Sequence, residues 1–368
     1  MSPATAGAST LDDWLAEKIR EDWFPGASWL VGDGRRVLFE GAVGDATIAP
    51  GRIAASISTL YDLASLTKPL ATALLAVRLQ TAGLLRLEDR VDRLLPEWRP
   101  RDAAPALTVL DLLTHRSGLP AWMPLYALAS DVPGRIAAIA SAPRPHAPLV
   151  AVTYSCPNYL LAGFALERVS GAPLDRLFRD QVTGPLGIAD VAYRPDPAER
   201  PRIAATETGN AHERALAGPP AAGYNAFRRD LIWGEVHDHN AWTLGGVAGN
   251  AGLFGTARAV WSLARLFLKE GPSFLGNEER SWFSHDFTPG LNQARGVGFQ
   301  LASTVGCSAG PDLSPRAFGH TGFTGTSLWI DPEAERVLVL LTNRVHPRHR
   351  DRDLHPLRRE FHTRALTL

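Results

Sequence analysis

The spacing of apolar residues predicts the first elements of the chain. Apolar side chains recur at helical intervals over residues 10–21, which are therefore expected to form an amphipathic helix. Two strands follow, at 27–32 and 36–43, and the dipeptide Asp33-Gly34 between them is typical of a hairpin turn. The apolar positions of the predicted helix are Leu11, Trp14, Leu15 and Ile19.

A longer helical pattern begins near Ser65 and ends at Gly83, a residue type favoured just after a helix C-terminus. From about Thr108 to Arg265 the chain alternates between helical patches and loops rich in proline and glycine. The patches are 108–115, 159–169 and 174–182, with a loop-rich stretch between 190 and 248.

The last third of the chain returns to strand patterns, followed by a polar helix at 354–366. The charged run 351–359 is interpreted as the solvated face of that helix. The predicted strands are 298–305, 326–330 and 337–341.

Strands at both ends, with helices between them, predict an α/β (α+β) protein with one sheet built from the two chain ends. Residues 1–60 with 266–368 would form the sheet lobe, and 61–265 a mainly helical inserted lobe. A cleft between two such lobes is a preferred place for a ligand. We therefore expect the functional site there.

Composition excludes several classes of function. Thirty-eight basic residues balance thirty-eight acidic ones, so neither nucleic acid nor an anionic membrane is an expected partner. No apolar run is long enough to span a bilayer, and the first residues lack a signal-peptide pattern, which predicts a cytoplasmic protein if they are the native start. Two cysteines are too few for a disulfide framework. The sequence does not determine the oligomeric state.

Lysine is scarce in this chain. Only Lys18, Lys68 and Lys269 occur among 38 basic residues, and all the others are arginines. Arginine does not release its proton in proteins, whereas burial lowers the pKa of a lysine from about 10.4. A lysine kept beside an apolar helix is therefore a candidate for proton transfer.

Ser65 and Lys68 form a Ser-x-x-Lys motif at the start of the predicted helix. Positions three apart lie on one helix face, so Lys68 is expected beside the Ser65 hydroxyl. The N–H groups at a helix N-terminus would also stabilise negative charge that develops there. Read alone, the pattern is more typical of an N-cap serine followed by a surface lysine, but the scarcity of lysine and the apolar helix behind the motif favour a chemical role.

Two further motifs are weaker when each is read alone. Tyr154-Ser155-Cys156 enters a predicted helix, where a tyrosine can share a proton with a lysine, although packing is the commoner role of tyrosine. His320-Thr321-Gly322-Phe323-Thr324-Gly325 precedes a strand, and its glycines would let the backbone approach a ligand, although a tight turn also needs them.

Other candidate signals carry less weight. His237 and His239 flank Asp238 and suggest a metal, but no fourth ligand follows at a suitable spacing, so we expect neither metal nor cofactor. The glycine-rich run 245–255 lacks the lysine of a phosphate loop. Cys156 has no histidine near it in sequence and is interpreted as a packing residue rather than a nucleophile.

The three motifs, in this order along the chain, resemble those of the serine beta-lactamase and penicillin-binding-protein superfamily. The residues around them are similar to the class C-like branch, which includes class C beta-lactamases, DD-peptidases and esterases with a beta-lactamase fold. The resemblance extends from about Phe24 to Val345 and implies a beta-lactamase/transpeptidase-like fold. The matching segments are 61–68, 112–119 and 319–326.

The resemblance implies a role for each matching residue. Ser65 would be the nucleophile, Lys68 its proton partner, and Tyr154 the base in acylation and the acid for the leaving group. The backbone N–H groups of Ser65 and Phe323 would form the oxyanion hole. Whether Lys68 or Tyr154 removes the proton stays open, because coupled groups titrate as a unit. The expected substrate-binding residues are Trp122, Cys156, Asn250, His320, Thr321 and Gly322.

Two departures from the family pattern bear on the substrate. Cys156 stands where the relatives have asparagine, and it is a poor partner for an amide. His320 replaces the lysine that attracts a substrate carboxylate, and it is charged only below its pKa. Both departures favour a carboxylic ester over a beta-lactam or a D-Ala-D-Ala peptide. The chain is therefore predicted to hydrolyse a small-molecule ester through an acyl-serine.

Three alternatives remain open. A beta-lactamase or D-Ala-D-Ala carboxypeptidase would use the same nucleophile on an amide. An acyltransferase would pass the acyl group to an alcohol or amine instead of water. An inactive homologue would only bind ligands, although the intact set of Ser65, Lys68 and Tyr154 argues against this alternative.

Overall fold

The computed structural model describes residues 3–100 and 105–368, with side chains from Thr10 onwards. The strands are β1 Gly26–Gly32, β2 Val37–Thr47, β3 Ile53–Ala54, β4 Tyr61–Asp62, β5 Val191–Tyr193, β6 Leu253–Gly255, β7 Gln300–Leu301, β8 Phe318–Thr321, β9 Ser327–Asp331 and β10 Arg336–Thr342. The helices are α1 Pro3–Arg20, α2 Leu74–Thr81, α3 Val91–Leu94, α4 Val109–Leu113, α5 Leu125–Leu128, α6 Val132–Ala140, α7 Cys156–Ser170, α8 Leu174–Phe178, α9 Gly184–Leu186, α10 Ala211–Ala217, α11 His239–Trp242, α12 Ala257–Ala264, α13 Asn277–Trp282 and α14 His355–Leu366.

The main sheet has seven strands in the order β3-β2-β1-β10-β9-β8-β7, and every neighbouring pair is antiparallel. Its centre is the pairing of β1, near the N-terminus, with β10, near the C-terminus. Asp33 stabilises the β1–β2 turn by accepting hydrogen bonds from two backbone N–H groups. The predicted sheet from both chain ends is confirmed.

Both faces of this sheet are covered. Trp29 and Leu338 point to one face, where they pack with residues of α1 and α14. Leu30 and Val339 point to the other face, where α12 packs against β1 and β10. Burial on both faces explains why β1 and β10 are apolar almost throughout rather than alternating with polar residues.

The predicted helix after Ser65 is one helical segment made of three pieces. A 3₁₀ turn at Ala64–Leu66 is followed by a π-helical stretch at Lys68–Ala73 and then by α2. Gly83 follows with a φ of +72°, the left-handed conformation that ends many helices. The core face of this segment is apolar and fully buried, which anchors the residues at its start.

The residues between the two halves of the sheet form most of the helices. The predicted patches correspond to α4, α7 and α8, and the stretch after α9 is rich in loops, as expected. A second, three-stranded sheet in the order β4-β6-β5 lies within this region and was not predicted. Its strands have two or three residues each, too short for a recognisable pattern. The division into two lobes at 61 and 265 stays a prediction.

Two predictions for the last third were inaccurate. The strand expected at 298–305 is only β7, and β8 lies directly before β9, where no strand was predicted. Glycine and polar residues at both places give a weak strand pattern, and pairing with β9 determines β8. Across the described residues, no helix combines the length and apolarity that crossing a membrane requires.

Candidate active site

Ser65 and Lys68 meet at the first turns of the helical segment. Nζ of Lys68 donates a hydrogen bond of 2.9 Å to Oγ of Ser65, the contact expected from their spacing. A second bond, also 2.9 Å, runs from Nζ to the main-chain oxygen of Asn250. Lys68 is fully buried, whereas Ser65 is partly exposed. The two hydrogen bonds thus fix the orientation of the Lys68 ammonium group beside the accessible hydroxyl of Ser65.

The residue before Ser65 has an unusual backbone conformation. Ala64 has a φ of +48°, which residues with a side chain seldom adopt. The carboxylate of the buried Asp62 accepts a hydrogen bond of 2.8 Å from the Ala64 N–H and supports this conformation. Such strain is concentrated at functional sites.

Tyr154 lies directly before α7 and is oriented by its neighbours. Ser155 caps α7 and donates to the Pro120 oxygen at 2.8 Å, while its backbone N–H donates to Nδ1 of His115 at 3.1 Å. The His115 ring also contacts the Tyr154 ring, with centroids 4.7 Å apart. Nζ of Lys68 lies 5.1 Å from the Tyr154 ring centre, and the Tyr154 hydroxyl interacts with both Lys68 and Ser65.

Burial and neighbouring charges shift the pKa values of Lys68 and Tyr154 in opposite directions. Burial raises the pKa of Tyr154, and nearby Lys68 only partly offsets that. Burial lowers the pKa of Lys68, but the negative charge that Cys156 and Tyr154 gain on deprotonation outweighs burial, so the pKa of Lys68 is raised. The lowered lysine pKa expected from sequence is therefore not what the structure gives. The resting pair is a charged ammonium beside a neutral phenol.

Phe323 lies in the loop between β8 and β9, facing the start of the helical segment. Within the described chain, the backbone N–H groups of Ser65 and Phe323 donate to no protein acceptor. Two free N–H groups beside a nucleophile are what an oxyanion hole requires. Their assignment to that role remains a prediction.

Two threonine hydroxyls connect this loop to the turn before Ser65. The Thr324 hydroxyl donates a hydrogen bond of 2.8 Å to the main-chain oxygen of Asp62. The Thr326 hydroxyl donates one of 3.1 Å to the main-chain oxygen of Leu63. The approach is close: a Cβ atom at Gly322 would lie 2.0 Å from the Thr326 hydroxyl and 2.8 Å from the Leu63 oxygen. Glycine is therefore required there by close contact, since the φ of Gly322 is not positive.

Cys156 and Asn250 lie behind the nucleophile. Sγ of Cys156 is 3.6 Å from Nζ of Lys68, and burial raises the pKa of this thiol, which is therefore neutral. The side chain of Asn250 is buried and donates to Asp238 at 3.1 Å. Asn250 contacts Lys68 through its main chain, and its predicted contact with substrate remains untested.

Two cavities meet at Ser65. The larger, of about 450 Å³, contains His320, Thr321 and Gly322. The smaller, of about 170 Å³, contains Trp122 and Cys156. Ser65, Tyr154 and Phe323 line both. The predicted residues are thus brought together, except that Lys68 and Asn250 lie behind the surface of the cavities.

Four arginines and one carboxylate, that of Asp353, line the larger cavity. Among the described residues, none of its four arginines forms an ion pair with a carboxylate. Burial lowers the pKa of Arg295 to about 10 and that of Arg358 to about 9, and Arg358 donates to the Gly322 and Thr326 oxygens. Arg295 and Arg358 are buried, Arg344 is half-buried and Arg352 is exposed. Guanidinium groups without an ion-pair partner favour an anion such as a carboxylate. The four are Arg295, Arg344, Arg352 and Arg358.

His320 adds no charge to this cavity. Burial, together with the positive charges of Lys68 and Arg295, lowers the pKa of His320 well below its usual value. The imidazole is thus neutral at physiological pH. The charge that a lysine would supply at this position comes instead from the arginines.

Sequence reasoning did not identify those arginines. They are scattered among many others, and no spacing relates Arg295 to Arg358. The interpretation of 351–359 as a solvated helix face was wrong for Arg358, which is buried because it packs beneath the β8–β9 loop. Thr324 belongs to the motif that begins at His320, but only the structure shows its hydrogen bond to the main-chain oxygen of Asp62.

Comparisons with known proteins identify the family of this chain. A family model described as Beta-lactamase matches residues 11–363. A protein of Escherichia coli (strain K12) named "Putative D-alanyl-D-alanine carboxypeptidase" is 31% identical over 381 residues, covering 94% of this chain and 85% of the relative.

Solved structures show the same fold. EstCE1, described as a hydrolase with promiscuous acyltransferase activity, superposes with a TM-score of 0.75 at 21% identity, covering 98% of this chain and 100% of EstCE1. The octameric penicillin-binding protein homologue from Pyrococcus abyssi superposes with a TM-score of 0.71 at 20% identity, covering 91% of this chain and 73% of that one. The predicted beta-lactamase/transpeptidase-like fold is confirmed. With a family model matched over nearly its whole length and relatives that cover most of it, the chain belongs to the beta-lactamase family of serine hydrolases.

Proposed function

We propose that this chain cleaves an ester or amide whose leaving part carries a carboxylate, as the last residue of a peptide does, through an acyl intermediate on Ser65. The observation that carries this proposal is the cavity beside Ser65, which four arginines line with a single carboxylate, that of Asp353, and in which none of the arginines forms an ion pair among the described residues. The E. coli relative's name, a putative D-alanyl-D-alanine carboxypeptidase, is consistent with such a substrate.

Acylation needs a base, and the Lys68–Tyr154 pair becomes one when it loses a single proton. The Ser65 proton then passes to this pair while Oγ attacks the carbonyl carbon. The backbone N–H groups of Ser65 and Phe323 would receive the oxyanion, and the pair returns the proton to the leaving group. Water then releases the acyl group from Ser65.

A carboxylesterase is the second candidate, supported by Cys156 and the smaller cavity. A thiol at 156 cannot bind an acylamino group as a carboxamide would. Trp122 and Phe323 give the smaller cavity aromatic surface suited to an apolar acyl group. From sequence alone, His320 also favoured esters, but the arginines supply the charge that His320 lacks.

A panel of substrates tests the proposal. The wild-type protein is offered a peptide ending in D-Ala-D-Ala, the same peptide amidated at its C-terminus, a chromogenic cephalosporin and a short-chain nitrophenyl ester. We expect the free acid to be cleaved more efficiently than the amide, because only the acid can pair with the arginines. Hydrolysis of the ester with no cleavage of either peptide would support the carboxylesterase instead.

Arg295→Gln tests how much the positive charge of Arg295 contributes to binding a substrate carboxylate. It should lower kcat/KM for the free-acid peptide by about tenfold to a hundredfold, the value of one charged hydrogen bond. The same variant should change nitrophenyl ester hydrolysis little, and this comparison within one preparation controls for misfolding. Equal losses on both substrates would contradict a role in carboxylate binding.

A further inference from the structure

A buried imidazole–carboxylate pair lies at the smaller cavity and has no part in the acylation described above. Nε2 of His237 is 2.9 Å from Oε2 of Glu207, and their side chains are 5% and 3% exposed. A carboxylate at Nε2 places the imidazole proton there and leaves the lone pair on Nδ1. The pair thus has the geometry of a general base oriented by a carboxylate.

Nδ1 of His237 is the ring atom that could accept a proton. It makes no hydrogen bond to any described residue, and it is not among the buried polar atoms that lack a partner. It therefore retains access to solvent, although His237 as a whole is only 4% exposed. His237 and Ser65 line the same, smaller cavity.

The position of His237 is coupled to that of the nucleophile. One carboxylate, that of Asp62, accepts from the His237 N–H at 2.7 Å and from the Ala64 N–H at 2.8 Å. The His237 ring also stacks on Phe323, with centroids 5.4 Å apart. The imidazole is thus held close to the residue before Ser65 and to one of the two predicted oxyanion donors.

We propose that His237, oriented by Glu207, is the base that activates water for hydrolysis of the acyl-Ser65 intermediate. This inference rests on the proposed acyl-serine function. Nδ1 accepts a proton from water while the water oxygen bonds to the acyl carbon. The tetrahedral intermediate then breaks its bond to Oγ, which takes a proton from the Lys68–Tyr154 pair. His237 releases its proton to solvent, the Lys68–Tyr154 pair takes up one proton from solvent and so returns to the state in which it began acylation, and the acid product leaves.

The two bases would then divide the reaction. Lys68 and Tyr154 act in acylation, on the proton of Ser65, whereas His237 acts only on water in the second half. His237→Gln should therefore slow deacylation by about a hundredfold or more, the scale of general base catalysis. The acylation burst with a nitrophenyl ester should stay within about threefold of wild type, because its base is intact.

The experiment measures both halves separately. Stopped-flow absorbance gives the burst and the steady-state rate, and intact-mass spectrometry measures the acyl-enzyme that should accumulate in His237→Gln. Hydroxylamine, a nucleophile that attacks without prior proton removal, should restore turnover in this variant. Glu207→Gln should show the same pattern with a smaller loss. His285→Gln, at an exposed histidine away from both cavities, is the matched control and should change neither rate.

Each result has a defined meaning. A fall in burst and steady state together, with no accumulation of acyl-enzyme, would assign His237 a structural role and overturn the inference. Unchanged deacylation in His237→Gln would assign water activation to Lys68 and Tyr154. If His237→Gln does not fold, the same two rates are measured on Glu207→Gln. Absence of any acyl-enzyme in wild type would instead contradict the proposed function itself.

Discussion

Lys68 is the residue on which the proposed chemistry depends most. Its ammonium group is fully buried, and Nζ lies 2.9 Å from both Oγ of Ser65 and the main-chain oxygen of Asn250. Arginine would keep a positive charge here but could not take part in proton transfer. The choice of lysine in a chain with so few of them is therefore consistent with chemistry rather than with surface charge.

Lys68→Arg should lower the rate of ester and peptide cleavage by at least about a hundredfold, because arginine keeps the positive charge but cannot exchange a proton with Ser65 or Tyr154. The measurement is kcat/KM on the best substrate of the panel. Lys269→Arg, at an exposed position, is the matched control and should be silent. Near-normal turnover of Lys68→Arg would mean that Lys68 acts only through its charge.

The pH dependence of the wild type follows from the same pair. Burial raises the pKa of Tyr154, and neighbouring groups raise the pKa of Lys68, so both protons are present at neutral pH. Since one must leave before Ser65 can be deprotonated, kcat/KM should rise as pH increases above 7. A profile that falls between pH 7 and 9 would contradict this protonation state.

Ser65→Ala tests the nucleophile directly. The variant should fold with an unchanged thermal transition, since Ser65 is only partly buried, and should lose all turnover. A fluorophosphonate probe should label wild type at Ser65 and leave the variant unlabelled. Labelling of the alanine variant at another serine would refute the assignment.

At the scale of elements, the site depends on how the β8–β9 loop joins the first turn of the helical segment. Ser65 and Phe323 come from distant parts of the chain, and Thr324 and Thr326 bond directly to the residues before Ser65. These bonds set the separation of the two N–H groups that would bind the oxyanion. Displacement of such groups by about 1 Å can cost on the order of a hundredfold in rate.

Thr324→Val removes one of these bonds while keeping the shape of the side chain. We expect kcat to fall by about tenfold to a hundredfold, with KM changed far less, because the oxyanion forms only during reaction. Thr324→Ser retains the hydroxyl and should restore most of the rate. If valine and serine behave alike, the hydroxyl does not position the loop.

The elements also differ in how well their sequences predicted them. The helix after Ser65 was predicted because its apolar face and its C-terminal glycine lie within one continuous segment. β8 was missed because Phe318–Thr321 has no alternation of its own and exists through pairing with β9. Short elements that depend on a partner strand carry little local signal.

For the whole molecule, buried histidines make stability depend on pH. Burial is the main cause that lowers the pKa of seven histidines in the folded state, for example to about 3 for His362. Below about pH 6.5 the unfolded chain therefore binds more protons than the folded one, and the free energy of unfolding falls as pH falls. The seven are His115, His212, His239, His320, His346, His349 and His362.

Urea unfolding between pH 7.5 and 4.5 measures this dependence. Each fully buried histidine contributes a slope of up to about 1.4 kcal/mol per pH unit, and buried Glu213, whose pKa is raised, acts in the opposite sense. His362→Asn should be less stable than wild type at pH 7.5 but lose less stability on acidification. An unchanged slope in this variant would contradict a neutral, buried His362.

The sequence by itself determined those features that depend on residues close together along the chain. The Ser65–Lys68 contact follows from a spacing of three in a helix, and the β1–β2 hairpin from a turn between two apolar runs. The motifs shared with the family allowed the fold to be predicted. Tertiary structure alone decided which scattered side chains line the cavities, such as Arg295, and that Glu207 holds His237. Those contacts join residues far apart in sequence, and they form only because folding buries them together.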